Sequence, residues 1–277
     1  MITLLEIIRR SEDFLAERGV ERPRQTAEEV IADALGMQRL DLYLQFDRPL
    51  ATHELPLLRE VIARSAHHEP SAYIRGYVTF AGVRLKVDNT VLIPRMETEI
   101  LVEMIAQTLE KLPLEGKVLW DVCCGSGCIG IALKARFPQL TVILSDIREE
   151  ALQTARLNAC FGEIHFKKGD LFAPFGEERC DFFICNPPYV TESEFENLSP
   201  SVRNWEPRAA LVAGETGLEY YARIAPLLRT HLNPQGRAWL EIGTTQGPPI
   251  QHLFSAHGYR PHILPDWSGH DRFCLII

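Results

Sequence analysis

The sequence predicts an α/β protein with a doubly wound, mostly parallel sheet that follows a small N-terminal helical bundle. Between residues 117 and 242, short apolar runs alternate with helical patterns at the spacing of βαβ units. Two later apolar runs, 261–265 and 273–277, are joined by a short polar loop with no helix, so they must pair antiparallel. Residues 1–70 carry apolar side chains at helical spacing only.

The N-terminal segment, residues 1–70, is predicted to be a separate helical domain. Apolar residues recur at helical spacing from residue 4 to 15, and Gly19 ends this segment. Thr26 and Glu29 form a candidate capping box for the next helix, with Gly36 at its end. The segment contains no recognisable catalytic constellation.

Residues 71–93 are predicted to be a β-hairpin that links the two domains. Apolar and polar residues alternate over 73–80 and 83–87, and Ala81-Gly82 separates the two runs. The second domain is expected over residues 94–277.

The alternation in this second domain assigns each element in turn. Strands are predicted at 118–122, 141–146, 164–166, 182–185 and 238–242. Helices are predicted at 129–137, 149–160 and 218–232.

Composition limits the class of protein. Of 277 residues, 46% are hydrophobic and 24% charged, as in an ordinary globular protein. Net charge is 29 − 37 = −8, which disfavours a long nucleic acid as the main partner. With no signal peptide or membrane span in sight, a cytoplasmic protein is expected. The seven cysteines are interpreted as reduced thiols, and no metal site is expected, because no zinc-type Cys/His spacing occurs.

A glycine-rich segment follows the first predicted strand and opens a helix. Gly125, Gly127 and Gly130 match the pattern G-x-G-x-x-G, which brings backbone close to a ligand at a helix N-terminus. Asp146 ends the second strand, where its carboxylate can accept hydrogen bonds from both ribose hydroxyls. At this point NAD and S-adenosyl-L-methionine fit equally well.

The fourth predicted strand ends at Asn186-Pro187-Pro188-Tyr189. Two prolines leave backbone carbonyl acceptors without N–H donors. The Asn186 side chain adds an amide, and Tyr189 adds a flat aromatic face. This set suits a grip on a planar NH2 group by its two hydrogens, with the ring stacked on the amide plane.

This tetrapeptide separates the two candidate cofactors. A hydride-transfer enzyme has no evident use for an acceptor-only backbone beside the cofactor, whereas an amine methyltransferase does. Asp170 and Leu171, after the third strand, can hold the edge and face of an adenine. The expected cofactor is therefore S-adenosyl-L-methionine, with S-adenosyl-L-homocysteine as product.

From about residue 70 to its C-terminus, the chain resembles the HemK/PrmC family of release factor glutamine methyltransferases. The shared motifs are Tyr73-Ile74-x-Gly76, Phe80-x-Gly82, Val91-Leu92-Ile93-Pro94-Arg95-x-Glu97-Thr98-Glu99, Asn186-Pro187-Pro188-Tyr189, Glu206-Pro207-Arg208-x-Ala210-Leu211, Leu240-Glu241-Ile242-Gly243 and Gly269-x-Asp271-Arg272. The Asn-Pro-Pro-Tyr motif alone is shared with DNA adenine methyltransferases, while the Ile-Pro-Arg-x-Glu-Thr-Glu block is far more specific.

The resemblance implies a class I S-adenosylmethionine-dependent methyltransferase fold. It implies that the substrate is the glutamine side-chain amide in the Gly-Gly-Gln motif of class 1 peptide chain release factors. It also implies that the helical domain helps to hold the release factor. Apart from the resemblance, we expect a monomer with neither a membrane nor a nucleic acid as a direct partner.

The candidate site then comprises three sets of residues. The catalytic and substrate-binding set is Asn186, Pro187, Pro188 and Tyr189. The cofactor-binding set is Cys123, Cys124, Gly125, Ser126, Gly127, Asp146, Ile147, Asp170, Leu171 and Asn186. The supporting set, expected to build a wall between hairpin and catalytic domain, is Arg95, Glu97 and Glu99.

Alternatives remain for the supporting set and for the cofactor loop. Glu97 and Glu99 also fit a solvated helix start, where acidic side chains favour the helix dipole. The family usually has glycine where Cys123 stands and commonly proline where Met96 stands. A cysteine in this turn leads to the expectation that its backbone adopts ordinary angles.

Two other functions compete with the first. A DNA or RNA amino-methyltransferase predicts a basic groove, against which the net charge of −8 and the acidic N-terminal segment argue. A nicotinamide-dependent oxidoreductase, or an inactive cofactor-binding module, would be distinguished by binding of NADH rather than S-adenosyl-L-methionine.

Overall fold

The structure, a computed structural model, describes residues 2–277, and its elements are numbered here in chain order. The chain forms two compact units. The first comprises residues up to Tyr77 together with Ser199–Trp205, and the second comprises Val78–Leu198 and Glu206–Ile277. Within the described residues, none of the helices combines the length and the apolar character needed to span a bilayer. The domain boundaries expected from the sequence stay a prediction.

The first unit is helical, as its apolar spacing predicts. Its helices are α1 (Leu4–Ala16), α2 (Pro23–Ala34), α3 (Arg39–Leu44), α4 (Glu54–Ala66), α5 (Ser71–Arg75) and α10 (Pro200–Arg203). Its core is made by fully buried apolar side chains of α1, α2 and α4, including Leu4, Ile8, Val30, Ile31 and Leu58. Trp205 donates its indole N–H to the His67 carbonyl at 3.0 Å.

The predicted capping box at Thr26 is wrong. Helix α2 begins three residues earlier, at Pro23, whose fixed φ suits the first helical position. A capping box of this unit lies at α1, where Thr3 accepts from the Glu6 backbone and Glu6 accepts from the Thr3 backbone.

The predicted hairpin is confirmed in part. It consists of β1 (Tyr77–Phe80) and β2 (Val83–Lys86), and Ala81 and Gly82 turn between them with φ of 46° and 79°. The prediction that its first strand begins at Tyr73 is wrong, because Ser71–Arg75 forms helix α5. Pro70 precedes that helix, and Gly76 ends it at φ 80°.

The second unit is built on one seven-stranded sheet with the spatial order β10-β11-β9-β6-β3-β4-β5. These strands are β3 (Val118–Val122), β4 (Thr141–Asp146), β5 (Ile164–Lys168), β6 (Cys180–Cys185), β9 (Leu232–Glu241), β10 (Pro261–Pro265) and β11 (Asp271–Ile276). Strands β5, β4, β3, β6 and β9 pair parallel, whereas β11 pairs antiparallel with both β9 and β10. The predicted parallel sheet with an antiparallel C-terminal hairpin is confirmed.

Helices cover both faces of this sheet. They are α6 (Met96–Leu109), α7 (Cys128–Arg136), α8 (Glu149–Asn158), α11 (Glu219–His231) and α12 (Gly247–Ala256). A short helix, α9 (Glu192–Phe195), follows the Asn-Pro-Pro-Tyr segment. One apolar core joins the sheet to α6, α7 and α8, and a second joins it to α11 and α12. A second small sheet, β7 (Val190–Thr191) with β8 (Val212–Gly214), follows the end of β6 and was not predicted.

The strand order reverses between β3 and β6. The chain proceeds from β3 to β4 and β5 on one side and then returns to place β6 on the other side of β3. In open α/β sheets, ligands bind outside the carboxyl ends of the strands at such a reversal. The glycine-rich segment after β3 and the Asn-Pro-Pro-Tyr segment after β6 both leave the sheet at this place.

Candidate active site

A cleft opens at the carboxyl edge of the sheet, with a void of about 810 Å³ including its open mouth. Predicted site residues that line it are Arg95, Cys123, Cys124, Gly125, Ser126, Asp146, Ile147, Asp170, Leu171, Asn186 and Pro188. Gly127, Pro187, Tyr189, Glu97 and Glu99 are not among the lining residues. Residues that sequence reasoning did not assign to the site also line the cleft, among them Leu92, Thr98, Asp121, Arg148, Ala209 and Tyr220.

The three glycines of the loop have different physical roles. A Cβ on Gly125 (φ 53°) would meet nothing within 4 Å, so this residue serves the turn itself. A Cβ on Gly127 would lie 2.8 Å from Ile131 Cδ1, and one on Gly130 would lie 2.4 Å from Leu144 Cδ2. Gly127 and Gly130 therefore let helix α7 pack closely on the sheet, behind the cleft.

Asp146 orders the loop in addition to facing the cleft. This buried carboxylate accepts the Gly125 N–H at Oδ2 (3.0 Å) and the Arg148 N–H at Oδ1 (2.9 Å). Ile147 follows Asp146 in the chain, lines the cleft and is 57% exposed. A carboxylate oxygen accepts more than one hydrogen bond, so Asp146 keeps acceptor capacity for a ligand.

The expectation that Cys123 adopts ordinary backbone angles is wrong. Its φ is 59°, in the left-handed region that glycine enters freely and other residues enter at a cost of about 1–2 kcal/mol. The side chain is half-buried on the cleft wall, and its thiol contacts the buried Cys185. The turn keeps its shape, and the cysteine adopts it at the expense of backbone strain.

Asp170 and Leu171 form the opposite rim of the cleft. Asp170 is half-exposed and makes an ion pair with Arg223 of α11. Leu171 is 5% exposed and has a φ of 48°. The pair therefore presents a charged edge and an apolar face side by side, as the sequence predicts.

The Asn-Pro-Pro-Tyr segment leaves β6 between the two walls of the cleft. Asn186 is partly exposed and lines the cleft together with Pro188. Pro187 is buried, and among residues 2–277 no protein donor is hydrogen-bonded to its carbonyl oxygen. The segment thus carries acceptors that the fold itself does not use.

Tyr189 is half-buried and is not among the residues that line the cleft. Burial raises the pKa of its hydroxyl, so the phenol stays neutral, and the charges near it are Glu241, Arg272, Arg95 and Glu97. Its backbone carbonyl accepts from Gln246 Nε2 at 3.0 Å, and the same amide donates to the Gly217 carbonyl at 3.1 Å. Gln246 therefore fixes the end of the segment, a role that no sequence motif predicted.

Arg95 is tied to a second loop. It donates to Glu206 Oε1 at 2.5 Å, and Glu206 Oε2 accepts the Ile93 N–H at 3.1 Å. Glu206 is 5% exposed and begins the segment that brings Ala209 and Ala210 to the cleft. The pairing of the Ile-Pro-Arg and Glu-Pro-Arg motifs was not predicted, although both motifs were noted.

The structure separates the two acidic members of the supporting set. Glu97 lies close enough to Glu241 and Tyr189 to raise their pKa values. Glu99 lines a different groove, together with Gly82 and Trp267. Both occupy the first turn of α6, where carboxylates favour the helix dipole. Met96 is the first residue of that helix, a position at which proline fits equally well.

Two buried carboxyl groups lie at this edge of the sheet. Burial raises the pKa of Asp121 to about 7, against a lowering by the Gly130 N–H that it accepts at 2.8 Å. Its Oδ1 has no hydrogen-bond partner although it is buried. Burial also raises the pKa of Glu241 to about 7, opposed by hydrogen bonds from Thr98 and Asn186 and by the charge of Arg272.

This chemistry fits a cationic, adenosine-containing ligand. The cleft presents Asp121, Asp146 and Asp170 to a ligand, and the buried Asp121 Oδ1 is a polar atom still without a hydrogen-bond partner. Within residues 2–277, no cluster of three or more His, Cys, Asp or Glu side chains has the arrangement of a metal site.

Comparison with solved structures agrees with the fold. A methyltransferase from Pyrococcus furiosus superposes with a TM-score of 0.51 at 16% identity, covering 70% of this chain and 88% of that protein. Residues 96–199 match the family described as methyltransferase small domain, and residues 6–76 match the PrmC N-terminal domain. The sheet order, the glycine loop and these matches define a class I methyltransferase, whose cofactor is S-adenosyl-L-methionine.

Full-length relatives narrow the class further. The chain is 42% identical over 273 residues to the release factor glutamine methyltransferase of Chlamydia trachomatis serovar D, covering 98% of this chain and 93% of that protein. It is 38% identical to the enzyme of the same name from Geobacter sulfurreducens, covering 93% and 90%. The chain belongs to the release factor glutamine methyltransferases.

Proposed function

We propose that this protein transfers a methyl group from S-adenosyl-L-methionine to the side-chain amide nitrogen of a glutamine in class 1 peptide chain release factors. The glutamine is that of the Gly-Gly-Gln motif. The observation that carries the proposal is the placement of Asn186 and the unused Pro187 carbonyl beside a cleft suited to the cofactor. The names of the relatives support the substrate assignment.

The cofactor residues have separate tasks. The segment Cys123–Gly127 holds the backbone close to the ligand, and Asp146 accepts from the ribose hydroxyls. Asp170 and Leu171 enclose the adenine, and the acidic cleft favours a sulfonium cation. The bound cofactor supplies an electrophilic methyl group.

The reaction then depends on orienting a weak nucleophile. An amide lone pair is delocalised into its carbonyl, so the nitrogen attacks only when held in line with the methyl carbon. Asn186 Oδ1 and the Pro187 carbonyl accept the two N–H groups and point the lone pair at the cofactor. Such positioning supplies about 7–11 kcal/mol of a barrier. The cofactor would leave as S-adenosyl-L-homocysteine, and the methylated nitrogen would release one proton to water.

Tyr189 and the helical unit complete the proposal. The neutral ring of Tyr189 is assigned to packing against the flat substrate amide. Residues 1–70 are assigned to recognition of the release factor, consistent with the match to the PrmC N-terminal domain. The site of action is the cytoplasm, where release factors work. A monomeric state and the absence of a nucleic acid partner stay predictions.

The competing function is methylation of an amino group in DNA or RNA, which uses the same tetrapeptide. The net charge of −8 and three acidic residues on the cleft wall argue against a polyanionic substrate.

The experiment compares the two substrate classes directly. Purified release factor, the same factor with its motif glutamine changed to asparagine, and single-stranded DNA and RNA are each incubated with the protein and S-adenosyl-L-methionine. Mass spectrometry is expected to show one added methyl group on the glutamine of the unaltered factor only. Methylation of nucleic acid without methylation of the factor would overturn the proposal.

A further inference from the structure

Glu241 is a buried acid that the mechanism above does not use. It is the last residue of β9 and 1% exposed, and it does not line the cleft. In the parallel pairing of β6 with β9, Cys185 lies opposite Leu240. Asn186 follows directly after β6, and Glu241 is the last residue of β9, so the register brings the acid next to the asparagine.

Both the side chain and the backbone of Glu241 are held in place. Its carboxyl Oε2 accepts the Thr98 hydroxyl at 2.7 Å, and the Asn186 amide lies close enough to the same carboxyl group to lower its pKa. Its backbone carbonyl accepts the Tyr221 hydroxyl at 2.7 Å, and its backbone pairs with Phe273 in β11. Helix α6 therefore holds the carboxyl group, while α11 and β11 hold the backbone from which it extends.

We infer that Glu241 is a positioning residue that sets the orientation of the Asn186 amide, a role that rests on the proposed function. An ionised carboxylate only accepts hydrogen bonds, so Asn186 must turn its N–H group toward Glu241. Its Oδ1 is then left to face the cleft, where the substrate N–H needs an acceptor. A protonated Glu241 can instead donate to Asn186 Oδ1, which removes that acceptor from the substrate.

The protonation state of Glu241 therefore determines whether Asn186 Oδ1 is free to accept a hydrogen bond from the substrate. The titratable groups that face it come from α6, α7, α11, β11 and the segment after β6; they are Glu97, Cys128, Tyr221, Arg272 and Tyr189. Arg272 favours the carboxylate and Glu97 opposes it, while the two phenols and the thiol stay neutral because burial raises their pKa values. With burial raising the pKa of Glu241 to about 7, methyl transfer is expected to fall as the pH drops through 7.

Two variants distinguish a role of Glu241 in orienting the Asn186 amide from a role in stabilising the fold alone. Glu241→Gln has an amide that can either donate or accept, so it no longer fixes Asn186, and kcat at saturating cofactor and release factor is expected to fall roughly tenfold or more. Its acid limb near pH 7 should vanish. Thr98→Val removes a donor to the carboxylate, so its acid limb should move to higher pH. Asp181→Asn, at the other end of β6, serves as the matched buried-carboxyl control and should leave the profile in place.

A second readout does not depend on the substrate. The side-chain NH2 signals of Asn186 in the nitrogen-15 NMR spectrum should titrate near pH 7 in the unaltered protein and stay constant in Glu241→Gln. If the protein does not methylate release factor, the proposed function fails, and this titration still decides the orientation. A Glu241→Gln protein with unchanged kcat, or an Asn186 signal that does not titrate, would overturn the inference. If Glu241→Gln does not fold, the inference is tested by the shift of the acid limb in Thr98→Val and by the NMR titration of Asn186 in the unaltered protein.

Discussion

Gly130 donates its backbone N–H to Oδ2 of the buried Asp121 at 2.8 Å, and this bond joins the first turn of α7 to β3. A single hydrogen bond thus holds the end of β3 to the start of α7, the two elements that flank the cofactor loop. The close approach is possible because Gly130 has no side chain between α7 and Leu144 of β4.

Gly130→Ala should therefore lower both stability and cofactor affinity. The added Cβ would lie 2.4 Å from Leu144 Cδ2 and 3.1 Å from Asp121 Oδ2, so the helix must move. Overpacking of this kind costs about 1–3 kcal/mol in the free energy of unfolding, measured by urea titration. The double variant Gly130→Ala with Leu144→Val removes the nearer atom and should recover part of the loss. A single variant as stable as the parent would show that the contact is not tight.

Cys123→Gly should stabilise the protein, because it relieves a left-handed conformation. Release of about 1–2 kcal/mol of strain is offset in part by the greater freedom of glycine in the unfolded chain. The control is Cys160→Gly, an exposed cysteine without a positive φ, which should not gain stability. Equal shifts in melting temperature for the two variants would contradict the strain that we assign to Cys123.

The sheet was predictable because its signals are local and strong. Buried strands such as β4 are continuous apolar runs, and the absence of a helix between β10 and β11 forces an antiparallel pair. The start of α5 was missed because an alternating pattern over a few residues suits a strand, whereas Pro70 and Gly76 settle the helix.

The candidate site was predictable where one strand end carries its own chemistry, as at Asp146 and Asn186. It was not predictable where distant segments meet. The pairing of Arg95 with Glu206, 111 residues apart, and the hold of Gln246 on the Tyr189 carbonyl depend on three-dimensional packing alone. The buried location of Glu241 likewise follows from strand order and not from any local pattern.

Asp121→Asn should flatten the pH dependence of stability between about pH 4 and pH 7. Burial raises the pKa of Asp121 from 3.8 to about 7, so the folded state holds a proton that the unfolded state has lost. Stability then falls as the pH rises through this window, by at most about 1.4 kcal/mol per pH unit for one group. Urea titrations at several pH values should show that the free energy of unfolding of the variant rises relative to that of the parent as the pH rises.

Asp181→Asn is the control for that measurement. Its Lys117 partner and the Val118 N–H hold the pKa of Asp181 below its usual value, so its contribution changes only at lower pH. Between pH 4.5 and 7 the free energy of unfolding of this variant should change with pH in the same way as that of the parent. An Asp121→Asn curve that also stays parallel would contradict the assigned buried proton.

Asp146→Ala should weaken the binding of S-adenosyl-L-methionine by about 1.5–3 kcal/mol. The carboxylate is assigned to the ribose hydroxyls and also holds the Gly125 and Arg148 N–H groups, so its removal loses charge-assisted hydrogen bonds. Isothermal titration calorimetry measures the change. An unchanged dissociation constant would remove Asp146 from the cofactor site.

The single-turnover rate of methyl transfer to release factor by Asn186→Ala tests the central claim most directly. The variant loses the side-chain acceptor that aligns the substrate nitrogen, so the rate should fall roughly a thousandfold or more while the cofactor still binds. Asn186→Asp should also bind the cofactor and transfer slowly, and Tyr189→Phe should be mild and Tyr189→Ala severe. A rate for Asn186→Ala near that of the unaltered protein would mean that the Asn-Pro-Pro-Tyr segment is only a turn after β6.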